Sequence, residues 1–346
     1  MQRFPFWLIA FPLSLFALAS CDKEDAPVPP VTAQFQPGKG VFVTNEGTFG
    51  AGNAEIGYYD FDQLAYAGGL FQQINGRPLG DVAQSMTLIG DEGFIVVNNA
   101  STIEIVDLSD LSSSGQMGFP SPRYLLPIDD QKAYVTDLSA SAIFVVDLEA
   151  REASSTIPTQ GWTEEMVRIG DEVFVSQRFT EWVYVIDTQS DQITDSIQLK
   201  IDPSALAVDQ EQKLWVFCGT DYNTFEPGSL YRIDPASRQI LKEYPFDDLD
   251  IGVWPRLKTT PAGDSLYVNM GDLLKMPIDA AELPAPWVEA GGRMFYGMEV
   301  DPMTGWVYVG DAIDFQQRGQ VYIYRPDGSL VQSFQAGVSP NGFWFY

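Results

Sequence analysis

A short strand ending in an aspartate recurs along the chain at Ile56 to Asp60, Ile103 to Asp107, Ile143 to Asp147, Val183 to Asp187 and Leu230 to Asp234. A sixth copy, Leu274 to Asp279, is one residue longer, and a seventh, Val321 to Tyr324, reaches Pro326-Asp327-Gly328 instead. Successive aspartates from Asp60 to Asp279 lie 47, 40, 40, 47 and 45 residues apart. A repeat of that length built only from strand-like patterning is the mark of propeller blades, each a small sheet that buries its faces against its neighbours. Every copy follows another short apolar-aromatic strand, such as Phe94-Ile95-Val96 or Leu214-Trp215-Val216, introduced by polar turns such as Gly90-Asp91-Glu92-Gly93. An innermost strand lies upstream again, as in Met166-Val167-Arg168-Ile169, and a looser fourth strand follows, as in Ile193 to Leu199. Four strands per unit and seven units over residues 38–346 predict an all-β, seven-bladed propeller of four antiparallel strands per blade.

The first unit lacks its innermost strand, while the chain ends with an unassigned one in Val338 to Tyr346. The C-terminal strand is therefore expected to complete the first blade and close the ring, which buries two sheet faces that an open ring would expose. The aspartates ending the third strands are read as turn residues accepting from nearby N–H groups, not as metal ligands.

Residues 1–20 carry Arg3, an apolar run interrupted by Pro5 and Pro12, and then small residues up to Cys21. This is the pattern of a secretory signal peptide. Residues 21–37, with four prolines and no apolar period, are expected to form a flexible tether. Leu18-Ala19-Ser20-Cys21 resembles the bacterial lipobox, which implies lipidation of Cys21. Asp22-Lys23-Glu24-Asp25 resembles the export signal of surface lipoproteins in Bacteroidetes. Soluble secretion with an incidental Cys21 is the alternative. The remaining cysteine, Cys218, lies in a strand pattern and reads as a buried core residue.

The 47 acidic against 20 basic residues give a net charge of −27, which argues against nucleic-acid binding. The sequence has no histidine, so triads and zinc sites that need imidazole are excluded. In a propeller the loops from second to third strand and from blade to blade share one face. Those loops hold six of the twelve arginines of this acidic chain. The candidate ligand-binding residues on that face are Arg77, Arg123, Tyr124, Trp162, Arg178, Phe179, Tyr222, Trp254, Arg256, Arg293, Phe295, Tyr296, Phe315 and Trp344. Scarce arginine and aromatic groups gathered on one face suit a large planar or amphiphilic ligand. The alternative is that the aromatics plug the channel or pack between blades. At the ends of the second strands, Asn45, Asn98, Asp137 and Asp311 take equivalent positions with Gln177, Cys218 and Met270. Their oxygens suit Ca²⁺, or else they satisfy turn N–H donors.

Val41-Phe42-Val43-Thr44-Asn45-Glu46-Gly47 and Tyr134-Val135-Thr136-Asp137 resemble Tyr-Val-Thr-Asn propeller repeats, and Asn75 to Met86 is similar to the second blade of Bacteroidetes surface-lipoprotein propellers. The resemblance covers nearly all of residues 38–346. That group includes cobalamin-binding surface lipoproteins, so the resemblance implies a monomeric, lipid-anchored protein at the outer membrane that passes a corrinoid to a transporter. Without histidine, such a ligand would be gripped at its periphery. A metal-dependent propeller hydrolase or lactonase, and a protein- or glycan-binding scaffold, are the rival readings.

Overall fold

The computed structural model describes residues 34–249 and 254–346. Seven antiparallel sheets stand around one axis, and the innermost strand of each neighbours that of the next in unbroken cyclic order. The ring therefore closes as the repeat predicted. Six sheets among the described residues have four strands. The fifth blade, for example, runs outward through Pro203–Val208, Leu214–Cys218, Ser229–Ile233 and Ile240–Pro245.

The sixth blade differs. It keeps Arg256–Thr259, Ser265–Met270 and Asp272–Pro277, and its outer strand shrinks to a single bridge between Leu273 and Val288. Pro284 and Pro286 precede that bridge and have no N–H to give to a ladder. Its third strand also begins two residues earlier than the sequence copy at Leu274 implied.

The closing strand is Pro340–Phe345, antiparallel to Gly40–Asn45 with Val41 opposite Phe345 and Val43 opposite Phe343. Glycines of the seventh blade make room for it. A Cβ on Gly297 would lie 2.6 Å from the Asn341 backbone, and one on Gly310 would lie 2.1 Å from the Pro340 carbonyl. The core lies between blades, because each sheet buries both faces. At the seam Val41, Val43 and Tyr59 pack with Tyr308, Val321, Ile323 and Phe343.

The third-strand aspartates take the turn role. Asp60, Asp147, Asp187 and Asp234 each accept from two backbone N–H groups two and three residues on, and Asp107 accepts from Ser109. Asp327 does the same for Ser329 in the seventh blade.

The expected tether ends sooner than residue 37. Phe35 is buried, its ring 4.6 Å from Tyr58 and 5.1 Å from Phe42, and its N–H donates to the Ser109 carbonyl at 2.7 Å. Cys21 and the signal segment lie outside the described residues. No helix among the described residues is long and apolar enough to cross a membrane.

Candidate ligand-binding site

At the axis, on the face formed by the second-to-third-strand loops and the blade-to-blade loops, a funnel of about 440 Å³ opens. That size falls in the usual range for small-molecule sites, roughly 300–1,000 Å³. All seven blades contribute to its wall, from Glu46 and Phe49 of the first blade round to Tyr296 and Phe315 of the seventh. Seven of the predicted ligand residues converge on it: Arg123, Trp162, Arg178, Trp254, Arg256, Tyr296 and Phe315.

Each of two arginines is locked by a carboxylate. Arg123 grips Glu164 through Nε and Nη2 at 2.8 and 2.6 Å, and Arg178 grips Asp202 the same way at 2.6 and 2.9 Å. The indole of Trp162 lies between them, 5.1 Å from the Arg123 guanidinium and 5.3 Å from that of Arg178, and its N–H donates to Glu164. Burial opposes the charge on Glu164. The Arg123 charge, its hydrogen bonds and the nearby Arg178 outweigh that effect and hold the carboxyl below its ordinary range.

Arg256 stands apart. It begins the inner strand of the sixth blade, donates to the Pro255 carbonyl at 3.1 Å and lies 5.6 Å from the Tyr296 ring. Among the described residues no carboxylate lies within ion-pair distance of it. Glu46, on the other side of Tyr296, accepts from the Tyr296 hydroxyl and from Asn341, each at 2.8 Å. Burial pushes the Glu46 carboxyl up, against the pull of that tyrosine bond and of Arg123 and Arg256.

Trp254, Tyr296 and Phe315 form a trio with ring centroids 4.9–5.3 Å apart. Phe49, 78% exposed, lines the same funnel, and Phe179, 58% exposed, stands beside it with its ring 5.5 Å from Trp162. Phe179 and Phe315 sit at φ of 59° and 61°, a left-handed backbone that costs a non-glycine residue about 1 kcal/mol or more. Both lie in tight turns of the second-to-third-strand loops, where Phe315 packs on Trp254 and Tyr296 and Phe179 packs on Trp162.

Beneath the funnel Arg256 also lines an axial cavity of about 30 Å³, shared with Tyr124, Lys258, Glu165, Glu299 and Trp344. Tyr124 receives a 3.4 Å hydrogen bond from Gln84, and Lys258 pairs with Glu299 at 2.7 Å. The Trp344 Nε1–H is buried without a partner among the described residues, so a water-sized guest fits there. These side chains give the funnel a floor.

Other predicted ligand residues lie elsewhere. Arg77 packs 4.9 Å over Phe71 and pairs with Glu104, because an unforeseen short helix, Leu70–Asn75, turns it toward the side of the second blade. Phe295 is in the core between the sixth and seventh blades, and Arg293 stacks on it at 5.0 Å while bonding the Glu289 and Ala290 carbonyls. Tyr222 is half-exposed on the long hairpin of the fifth blade, outside the funnel lining.

The four candidate metal residues all hydrogen-bond within the ring, Asn98 through its amide nitrogen. The Asn45 oxygen accepts from Gly337, and Asn98 donates to Ser121 and Pro122. Asp137 accepts from Ser121, Ser139 and Ala140, and Asp311 from Met294 and Ile313. In the sixth blade Asn269, not the aligned Met270, plays this part by donating to Phe295 and accepting from Gly271. Each ties a strand end to the adjoining loop or blade, and Asn45, Asp137, Asn269 and Asp311 do so by accepting from backbone N–H groups. Among the described residues no three acidic or cysteine side chains gather as a metal site.

Glu164 and Asp202 were missed in the sequence. A buried arginine needs a carboxylate, and that rule would have directed attention to the acids flanking Trp162 and preceding Pro203.

Residues 39–345 match the family model described as Domain of unknown function (DUF5074). The chain belongs to this family. No curated protein matches the DUF5074 chain in sequence. Among solved structures, it is similar to Kuenenia stuttgartiensis hydrazine synthase, with a TM-score of 0.59 and 18% identity over 73% of this chain and 86% of that one. It is also similar to the dihydro-heme d1 dehydrogenase NirN in complex with DHE, with a TM-score of 0.59 and 10% identity over 92% and 77% of the two chains. A third, the Myceliophteria thermophila Cps50 (Swd1) β-propeller domain, has a TM-score of 0.58 and 14% identity over 81% and 96%. At these identities the likeness of the DUF5074 propeller to them is one of fold.

Proposed function

We propose that this DUF5074 propeller is a non-enzymatic binding protein that captures a flat, amphiphilic small molecule at its axial funnel. The observation that supports this reading best is the funnel wall itself. Seven blades bring three arginines and a trio of aromatic rings to one concave site on an otherwise acidic protein. Paired guanidiniums held rigidly against an indole offer a fixed, preorganised surface, as tight binding requires. The carboxylates are engaged by arginines or hydroxyls, which suits recognition better than turnover.

The preferred ligand is a corrinoid, from the resemblance of the repeats to the surface-lipoprotein group. A corrinoid is larger than a cavity of about 440 Å³, so it would lie across the mouth at Phe49 and Trp254 with one arm inserted. One protein of the same fold is a dihydro-heme d1 dehydrogenase in complex with DHE. On this reading Cys21 carries a lipid, the protein stands on the outer membrane, and a transporter receives the ligand.

Isothermal titration with cyanocobalamin and cobinamide tests the proposal. We expect one ligand per chain, and W254A should weaken binding by at least about tenfold, the size of effect seen for a central aromatic anchor. No heat with either corrinoid at micromolar protein rejects the corrinoid. Equal affinity of wild type and W254A rejects the funnel as its site.

A further inference from the structure

The funnel carries an asymmetry that a general amphiphile site does not need. Two of its three arginines are neutralised by bidentate carboxylates, whereas Arg256 uses its guanidinium on one backbone carbonyl. A guanidinium has five N–H donors in a planar fork that matches an oxyanion. Arg256 is thus a cation at the base of a concave site with most of its donors uncommitted among the described residues.

Its surroundings fix the size of the charge it can accept. Glu46, Glu164 and Glu165 stand around the same axis, so a second negative charge on a ligand would meet them at short range. Lys258 is already spent on Glu299 at 2.7 Å. The position of Arg256 also fixes orientation. It lies below Tyr296, and Tyr296 packs against Trp254 and Phe315. An anion seated on the fork therefore points its apolar body up the aromatic wall toward Phe49 at the mouth.

Resting on the reading of the funnel as a small-molecule site, we infer that its ligand is a monoanionic amphiphile whose single acidic group docks on Arg256 and whose flat apolar part stacks on Trp254, Tyr296 and Phe315. The discrimination is directional: acid at the floor, ring at the rim.

A matched pair of fluorescent probes tests this without knowledge of the natural ligand. Anilinonaphthalene sulfonate carries one negative charge, and N-phenyl-1-naphthylamine is its uncharged counterpart. At low ionic strength the full-length wild type should bind the sulfonate about tenfold or more tightly than the neutral probe, despite the net charge of −27. R256Q should erase that preference, and R256K should retain part of it, since charge persists without the fork. R325Q removes the same charge from an arginine that packs on Trp306, away from the funnel lining, and should keep the preference. Circular dichroism melts of each variant show that the fold is retained.

A preference unchanged in R256Q, or lost equally in R325Q, overturns the assignment of Arg256. The absence of any preference in wild type overturns the monoanion. If neither probe binds, the funnel reading falls with it. If both behave as expected while corrinoid titrations stay silent, only the corrinoid is rejected.

Discussion

Arg123 and Glu164 illustrate how single side chains set both stability and shape at this site. Their pair is almost buried, with side-chain exposures of 13% and 6%, and it orients Trp162 from the inner strands. Removing one partner strands the other charge, so E164Q should destabilise the fold by about 3 kcal/mol, read from urea midpoints. Glu46 and Glu164 also respond to pH in opposite senses. Glu164 is held below its ordinary value of 4.5, so its stabilisation is present above that pH and disappears as pH falls through the lowered value. Glu46 is pushed above 4.5, so the native state holds its proton more firmly than the unfolded chain does. Stability therefore declines as pH rises from about 4.5 through that raised value. E46Q should flatten this decline, and denaturation midpoints at several pH values will show it. An unchanged pH slope would mean that Glu46 is solvated in solution.

At the level of elements, the seam between the first and seventh blades depends on backbone contact more than on side chains. Gly297 and Gly310 admit Pro340 and Asn341 at distances no Cβ tolerates. G297A should therefore lower the melting temperature clearly, and deletion of Pro340 to Tyr346 should leave no cooperative transition. A truncated chain that melts like wild type would contradict closure by this strand. Phe35 closes the other end of the same blade by packing on Phe42 and Tyr58, and F35A should cost about 3 kcal/mol as a buried ring is lost.

The elements also show what was legible in the sequence. Strand-ending aspartates mark blades because turn N–H groups need acceptors, and that local rule operates wherever the repeat survives. The sixth blade was misjudged at its outer edge because Pro284 and Pro286 act on a ladder whose partner is distant in sequence. Likewise, loop membership placed Arg123, Arg178 and Arg256 correctly on one face but could not tell them apart. Which arginine is neutralised depends on Glu164, in an inner strand, and Asp202, in the loop before the next blade. Arg77 and Phe295 share the same loop signature, yet a six-residue helix and the bulge between Phe295 and Met298 turn them away.

For the whole molecule, seven wedges that bury their faces on each other leave two distinct ends to the axis. One end gathers the funnel, its arginines and its aromatic rings. The other presents polar turns such as Gly90-Asp91, Gly170-Asp171 and Gly263-Asp264. The strong negative charge keeps the rest of the surface solvated, so the apolar rim stands out as a recognition surface. Hydrogen–deuterium exchange with and without saturating cyanocobalamin, a corrinoid with one phosphodiester anion, examines this division directly. We expect slowed exchange confined to the loops at residues 46–50, 178–180, 254–256 and 313–316. Protection of the turns at 90–93, 170–172 and 262–264, or no change anywhere, would contradict it.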